Sequence, residues 1–349
     1  MPFAEIIGQD RAVGALRAAL RRGALHHAYL FGGPEGVGKG RVARLLAQAA
    51  ICEGPGEAAR DDACGACAPC RKIARGIHPD VLTLAEERVM AKAGTWEPRG
   101  GRTPSKDIVV DQVRDVVDRR LALRRFEGRR RFVIVDPADR MNPQAQNALL
   151  KTLEEPPPAT TLVLVASNPD ALLPTIRSRC LRMTFGPIPV DEVEKRLVAA
   201  GRTPAAARFL AALSGGSLGR ALSLPSDEEE LAEERAAVLE AAALVPADAG
   251  GWLAWAARHG RDRERAASTV QLLGLWIRDV LAVQAGAPAG ALALADVGDA
   301  TRRVAAAVGP GDLARRRSEL QRTTEALKQN ASPVLALEAM LVGWFHGRA

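Results

Sequence analysis

The chain has 349 residues, 47% of them hydrophobic and 4% aromatic, with a formal net charge of +7. This length and apolar content exclude a disordered chain and predict two or three domains with cores built from Ala, Leu and Val. The positive charge permits contact with nucleic acid without requiring it. No apolar run approaches the length of a membrane span, and the opening ten residues lack the basic and apolar blocks of a signal peptide, so the expected compartment is the cytoplasm. There, five cysteines read as metal ligands more readily than as disulfides.

In chain order, Ile6-Ile7-Gly8-Gln9-Asp10 leads into a helical pattern carried by Val13, Leu16 and Leu20. Arg21 to His27 is a basic turn, and Ala28 to Phe31 is a short apolar strand. Gly33-x4-Gly38-Lys39 follows, the pattern of a phosphate-cradling P-loop. Its glycines let backbone N–H groups approach a polyphosphate, and the next helix adds its positive dipole end. Gly33, Gly36, Gly38 and Lys39 are therefore candidate nucleotide-binding residues. The next position normally carries a Ser or Thr hydroxyl for Mg²⁺, but here it is Gly40. The helix after Lys39 is predicted to run to about Ile51.

Cys52, Cys64, Cys67 and Cys70 have the spacing C-x11-C-x2-C-x2-C. Four thiolates close a tetrahedral structural zinc site with no open position for catalysis. An iron–sulfur cluster and a loop with incidental cysteines are the alternatives. His78 to Leu84 reads as a turn and a strand, and Glu86 to Lys106 as an irregular, mobile stretch. A helix is predicted over Ile108–Leu123, with Val109, Val113, Val116, Val117 and Leu121 on its apolar side. The arginines from Arg119 to Arg131 then form either a solvated face or a DNA-backbone contact.

Phe132 to Asp136 is a buried strand ending in an acid, the Walker B position, whose Asp normally holds Mg²⁺. Where an active ATPase has a Glu to orient the attacking water, Pro137 stands here. Asn142-Pro143 caps a helix over Gln144–Glu155, which stops before Pro156-Pro157-Pro158. Thr161 to Ala166 is another buried strand. Ser167-Asn168 after it either faces a γ-phosphate or makes an ordinary turn. Phe185 to Pro189 is a linker, Val190 to about Leu224 a small helical unit, and Ser226 to Glu230 an acidic break. The rest is helical, with stripes at Val270, Leu273, Ile277 and Val280 and at Val334, Leu337, Met340, Leu341, Trp344 and Phe345. Such stripes are core or an intersubunit seam.

Together these residues resemble the delta-prime subunits of bacterial DNA polymerase III clamp loaders, within the AAA+ family. The carriers are Ile7-Gly8-Gln9, the degenerate P-loop, the four-cysteine insert and Asn147-Ala-Leu-Leu-Lys-Thr-Leu-Glu-Glu-Pro-Pro157. Ser178-Arg179-Cys180 and the run from Ala331 to Glu338 complete the set. The resemblance implies an α/β P-loop (RecA-like) AAA+ domain over 1–187 with a zinc-binding insert at 52–70, a small helical lid over 188–225 and an all-α collar over 226–349. It implies that Arg179 is an arginine finger acting in trans, that Asp136 lies in the degenerate nucleotide site, and that ATP is bound, if at all, without hydrolysis. Implied partners are the gamma/tau motor subunits, the delta subunit, the sliding clamp and primed DNA, within the DNA-directed DNA polymerase holoenzyme. Motor subunits carry a sensor arginine where Gly219 stands here; Arg220 lies about 100° further around a helix. The rival expectation is an active AAA+ ATPase, either a motor subunit of the loader or a branch-migration motor. A free-standing zinc and DNA-binding module is a third reading.

Overall fold

The computed structural model describes residues 3–54, 61–224, 228–288, 292–294 and 297–346. Five parallel strands are β1 (Ala28–Gly32), β2 (Val81–Leu84), β3 (Arg131–Val135), β4 (Thr160–Ala166) and β5 (Leu181–Thr184), in the spatial order β2-β3-β4-β1-β5. Every residue of β1, β3 and β4 is buried, as continuous apolar runs in the middle of a parallel sheet should be. The sequence pattern does not announce β5. Its Leu-Arg-Met-Thr is largely exposed, because an edge strand is held by its main-chain pairing to β1 rather than by side-chain burial.

Helices cover both faces. In chain order they are α1 (Asp10–Arg21), α2 (Lys39–Ile51), α3 (Ala68–Ala74), α4 (Glu87–Lys92), α5 (Val110–Arg114), α6 (Pro143–Glu154) and α7 (Pro174–Arg177). One core cluster joins Leu16, Leu46 and Ile73 to Phe31 and Phe132. The other joins Val113, Leu149 and Ile176 to Leu30, Val133 and Leu164. Asn142 caps α6 as predicted, its Oδ1 accepting from the Ala145 N–H at 2.8 Å. This is the α/β P-loop architecture expected from the sequence.

Two expectations change. The stretch after Glu86 is ordered around Glu87, whose fully buried carboxylate accepts from Arg102, Trp96 and the Ser105 N–H. The predicted 108–123 helix is shorter and changes type. Ile108 pairs with Met141 in a β-bridge, and α5 passes directly into a π-helical segment over Asp115–Arg120. At its end the Arg131 guanidinium takes the carbonyls of Arg120, Leu121 and Leu123, which satisfies them outside a helix.

The chain divides into two compact units, 1–192 with 217–220, and 193–216 with 221–349. The second is all-helical: α8 (Val190–Ala199), α9 (Pro204–Leu213), α10 (Leu218–Ser223), α11 (Glu228–Ala243), α12 (Ala249–His259), α13 (Arg263–Gln284), α14 (Gly298–Ala307), α15 (Pro310–Lys328) and α16 (Pro333–His346). Helices α8 and α10 straddle the division. Ser226 and Asp227 of the acidic break lie outside the described residues. The stripe Val270, Leu273, Ile277 and Val280 is buried, as are Leu337, Met340, Leu341 and Trp344. By length and composition α13 could cross a membrane, but it is half buried within the protein and encloses Asp279, whose carboxylate takes the Ala293 and Leu294 N–H groups. It is a core helix.

Candidate nucleotide, metal and arginine sites

The P-loop joins β1 to α2. Gly33 (φ +151°), Gly36 (+73°) and Gly38 (+101°) all adopt backbone that L side chains rarely adopt. Two of them also lack room. A β-carbon on Gly33 would meet the Phe185 carbonyl at 2.1 Å, and one on Gly36 would meet Ser217 Oγ at 2.1 Å. Lys39 is buried, and its Nζ donates to the Gly33 and Pro34 carbonyls at 2.6 Å each and to Ser167 Oγ at 3.4 Å. Burial pulls its pKa down, against the opposing fields of Asp136, Asp139 and Glu35. The ammonium therefore closes the loop onto itself.

Asp136 follows β3 directly. Burial pushes its carboxyl pKa up, with Arg44 and Lys39 opposing. A β-carbon on Gly40 would lie 2.1 Å from Asp136 Oδ2. The carboxylate thus occupies the space that a metal-binding hydroxyl would need, and the donor set does not fit the usual Mg²⁺ arrangement. Asp139, three residues on, escaped the sequence reading. Its Oδ2 accepts from the Ser167 and Asn168 N–H groups at 3.1 and 2.8 Å, tying the turn after β4 to the turn after β3. An acid in the turn after a Walker B strand is the one signal that could have found it. Gly219, also in the first unit, donates its N–H to the Gly36 carbonyl at 2.9 Å. A β-carbon there would meet Gly36 Cα at 3.1 Å and its carbonyl oxygen at 3.2 Å.

The four predicted cysteines converge. All four sulfurs of Cys52, Cys64, Cys67 and Cys70 lie within 4.8 Å of one another, and Cys52 and Cys67 are 4.0 Å apart. A tetrahedron with Zn–S bonds of about 2.3 Å has edges of about 3.8 Å, so the donor set fits zinc. Backbone N–H groups of Gly54 and Cys64 point at Cys52 Sγ, and that of Cys67 at Cys64 Sγ. The Cys67 and Ala66 amides pull the Cys64 thiol down to about 6. Residues 55–60 of the insert lie outside the described residues. Cys70 is buried against α2, where its carbonyl accepts from Gln48.

Arg179 lies in the short turn between α7 and β5. Its Nη2 donates to Glu154 Oε1 at 2.7 Å, and its Nη1 to the Thr175 carbonyl at 3.0 Å. With His26, His27 and Leu181 it lines an open groove at the amino ends of β1 and β5. The P-loop lies at the carboxyl end of β1, so the two sites are at opposite ends of one strand, about 16 Å apart.

The arginine cluster divides. Arg131 is buried beside Asp80, with Nε 3.6 Å from Oδ1. Arg119 and Arg120 pair with Asp115. Arg124, Arg125 and Arg129 are exposed. Asp80 accepts from the N–H groups of Phe126, Glu127 and Gly128, so one buried ion pair holds the basic loop from both ends.

The sequence profile of the family described as "DNA polymerase III, delta subunit" matches residues 8–189. The DNA polymerase III subunit delta' of Bacillus subtilis is 30% identical over 287 residues, covering 80% of this chain and 78% of that protein. The chain belongs to the DNA polymerase III delta-prime family. The delta' subunit of Pseudomonas aeruginosa is 39% identical over 217 residues, 61% of this chain and 60% of its own length. The tau subunit of Escherichia coli is 34% identical over 228 residues, 64% of this chain and 32% of its own length. The chain therefore spans less than two thirds of these last two proteins. Within the delta-prime family, the profile match takes in the P-loop, the cysteine insert and Arg179.

Proposed function

We propose that this chain is a non-hydrolysing subunit of a DNA polymerase III clamp loader, which helps place a sliding clamp on primed DNA and donates Arg179 to the ATP site of a neighbouring gamma/tau-type subunit. The observation that carries the reading is the separation of Arg179 from the chain's own P-loop, at the opposite end of β1. An arginine there lies away from its own P-loop, so a nucleotide it serves would belong to another molecule, where a planar fork of donors stabilises charge developing on the transferred phosphate. ATP in its own P-loop would be gripped by Lys39 and the loop amides without the hydroxyl and carboxylate that serve metal and water.

The same reading places the chain in the cytoplasm, with a delta subunit as a further partner, and treats the segments 1–187, 188–225 and 226–349 as motor-like, lid and collar domains. Zinc in the four-cysteine cluster is structural. Its four thiolates would pin the 52–70 insert to α2 and supply no chemistry. An active ATPase, favoured by the identity to tau, conflicts with Gly40, Pro137 and Gly219. The test is reconstitution with gamma/tau-type and delta subunits, followed by clamp-stimulated ATPase and clamp loading with wild-type chain and Arg179→Ala. A partial fall in ATPase and a larger fall in clamp loading, in an intact complex, are expected. Unchanged activity removes the finger from the mechanism.

A further inference from the structure

Glu154 is the last residue of α6, and Glu155 follows it. Carboxylates at a helix C-terminus oppose the dipole, where a lysine or arginine would be favoured. Glu154 is placed firmly: Asn142 caps the start of α6, and Leu149 and Leu153 bury its inner face. Its carboxylate holds Arg179 Nη2 at 2.7 Å.

An exposed ion pair alone contributes little. This one is part of a two-point mount. The Thr175 carbonyl on α7 takes Nη1 at 3.0 Å, beside the Glu154 carboxylate on Nη2. The anchors come from two separate elements, α6 and α7. Two of the five guanidinium N–H groups are used, which leaves three for a phosphate. Arg177, two residues earlier, is held by Asp170 alone among the contacts described for its guanidinium.

We propose that Glu154 is the positioning residue for Arg179, fixing the back of the guanidinium so that its remaining donors meet a neighbouring subunit's nucleotide in a set orientation. The proposal rests on the finger role of Arg179 argued above. Orientation acts on the chemical step more than on nucleotide affinity, because a small misplacement of a catalytic group costs rate.

The experiment uses complexes reconstituted with gamma/tau-type and delta subunits, measuring clamp-stimulated ATPase across ATP concentration. Glu154→Ala is expected to lower the kcat assigned to the site facing this subunit by about tenfold, with KM for ATP and assembly unchanged. Glu154→Gln, which keeps an acceptor oxygen, should recover part of that loss. Glu154→Ala added to Arg179→Ala should cost nothing more, since the two act as a unit. A full additive loss in the double variant overturns the proposal, because Glu154 would then act elsewhere. A loss for Arg179→Ala with none for Glu154→Ala overturns the proposal and leaves the finger standing. No loss for Arg179→Ala removes both.

Discussion

Asp136 Oδ2 stands 2.1 Å from where a β-carbon on Gly40 would lie, so the carboxylate of the Walker B strand fills the space a side chain at position 40 would need. The two positions are read separately in the sequence, yet in space they form one altered site. The isolated chain is therefore expected to show no ATP turnover above background. Gly40→Thr should not create any, since Pro137 still leaves the attacking water without a carboxylate. Phosphate release by the purified chain and variant checks this. Turnover that Lys39→Ala abolishes would overturn it.

Gly36 and Gly219 touch backbone to backbone. Gly219→Arg, which restores the residue that motors carry, is expected to destabilise the protein by about 1–3 kcal/mol and to confer no hydrolysis. Its β-carbon would meet main-chain atoms rather than a side chain that can swing away. Denaturant midpoints of wild type and variant measure the cost, and an unchanged midpoint would show that the contact is dispensable.

The four-cysteine cluster should hold one zinc per chain. Protein purified without added metal is expected to contain about one equivalent, with Zn–S distances of about 2.3 Å by X-ray absorption. Cys64→Ser and Cys70→Ser should each lose most of it and lower Tm. Less than about half an equivalent, with all four thiols freely titratable, would sink the assignment.

Asp80 and Arg131 hold the 121–130 loop between them. Asp80→Asn leaves Arg131 buried without its partner, which costs about 3–5 kcal/mol. Burial pushes the Asp80 carboxyl up, but the amides of Glu127, Gly128 and Phe126 and the charge of Arg131 outweigh it and keep the pKa below the ordinary value. A depressed folded pKa contributes stability above the unfolded pKa, and that stability is lost as pH falls through the folded one. The wild type should therefore lose more stability than Asp80→Asn below about pH 4. Parallel urea titrations at neutral and acidic pH test the difference.

Arg179→Lys should restore the partner's ATPase only in part, since lysine keeps the charge and loses the planar fork. Arg177→Ala removes equal charge nearby and is the control. In measured systems an arginine finger is worth about 10³ to 10⁵ in rate at its own site. A loader with several ATP sites should show a smaller fall in total turnover and a larger one in clamp loading. Equal losses for Arg177→Ala and Arg179→Ala would point to bulk charge instead.

The sequence by itself determined the central strands, the P-loop, the cap at Asn142 and the cysteine cluster. Each is written in a short window, as a continuous apolar run, a glycine spacing or a ligand spacing. The degeneracy of the nucleotide site was equally legible at Gly40 and Pro137. Tertiary structure alone decided the rest. Strand β5 is exposed and pairs through its backbone, so its side chains carry no signal. The predicted 108–123 helix ends near Leu121, where its carbonyls are taken by Arg131, eight to eleven residues later in the chain. Asp139 and Glu154 gain their roles from groups 25 to 29 residues away, which no periodicity encodes. The opposition of Arg179 and Lys39 follows from the parallel register of β1 and β5, which sets one loop at each end of the same strands.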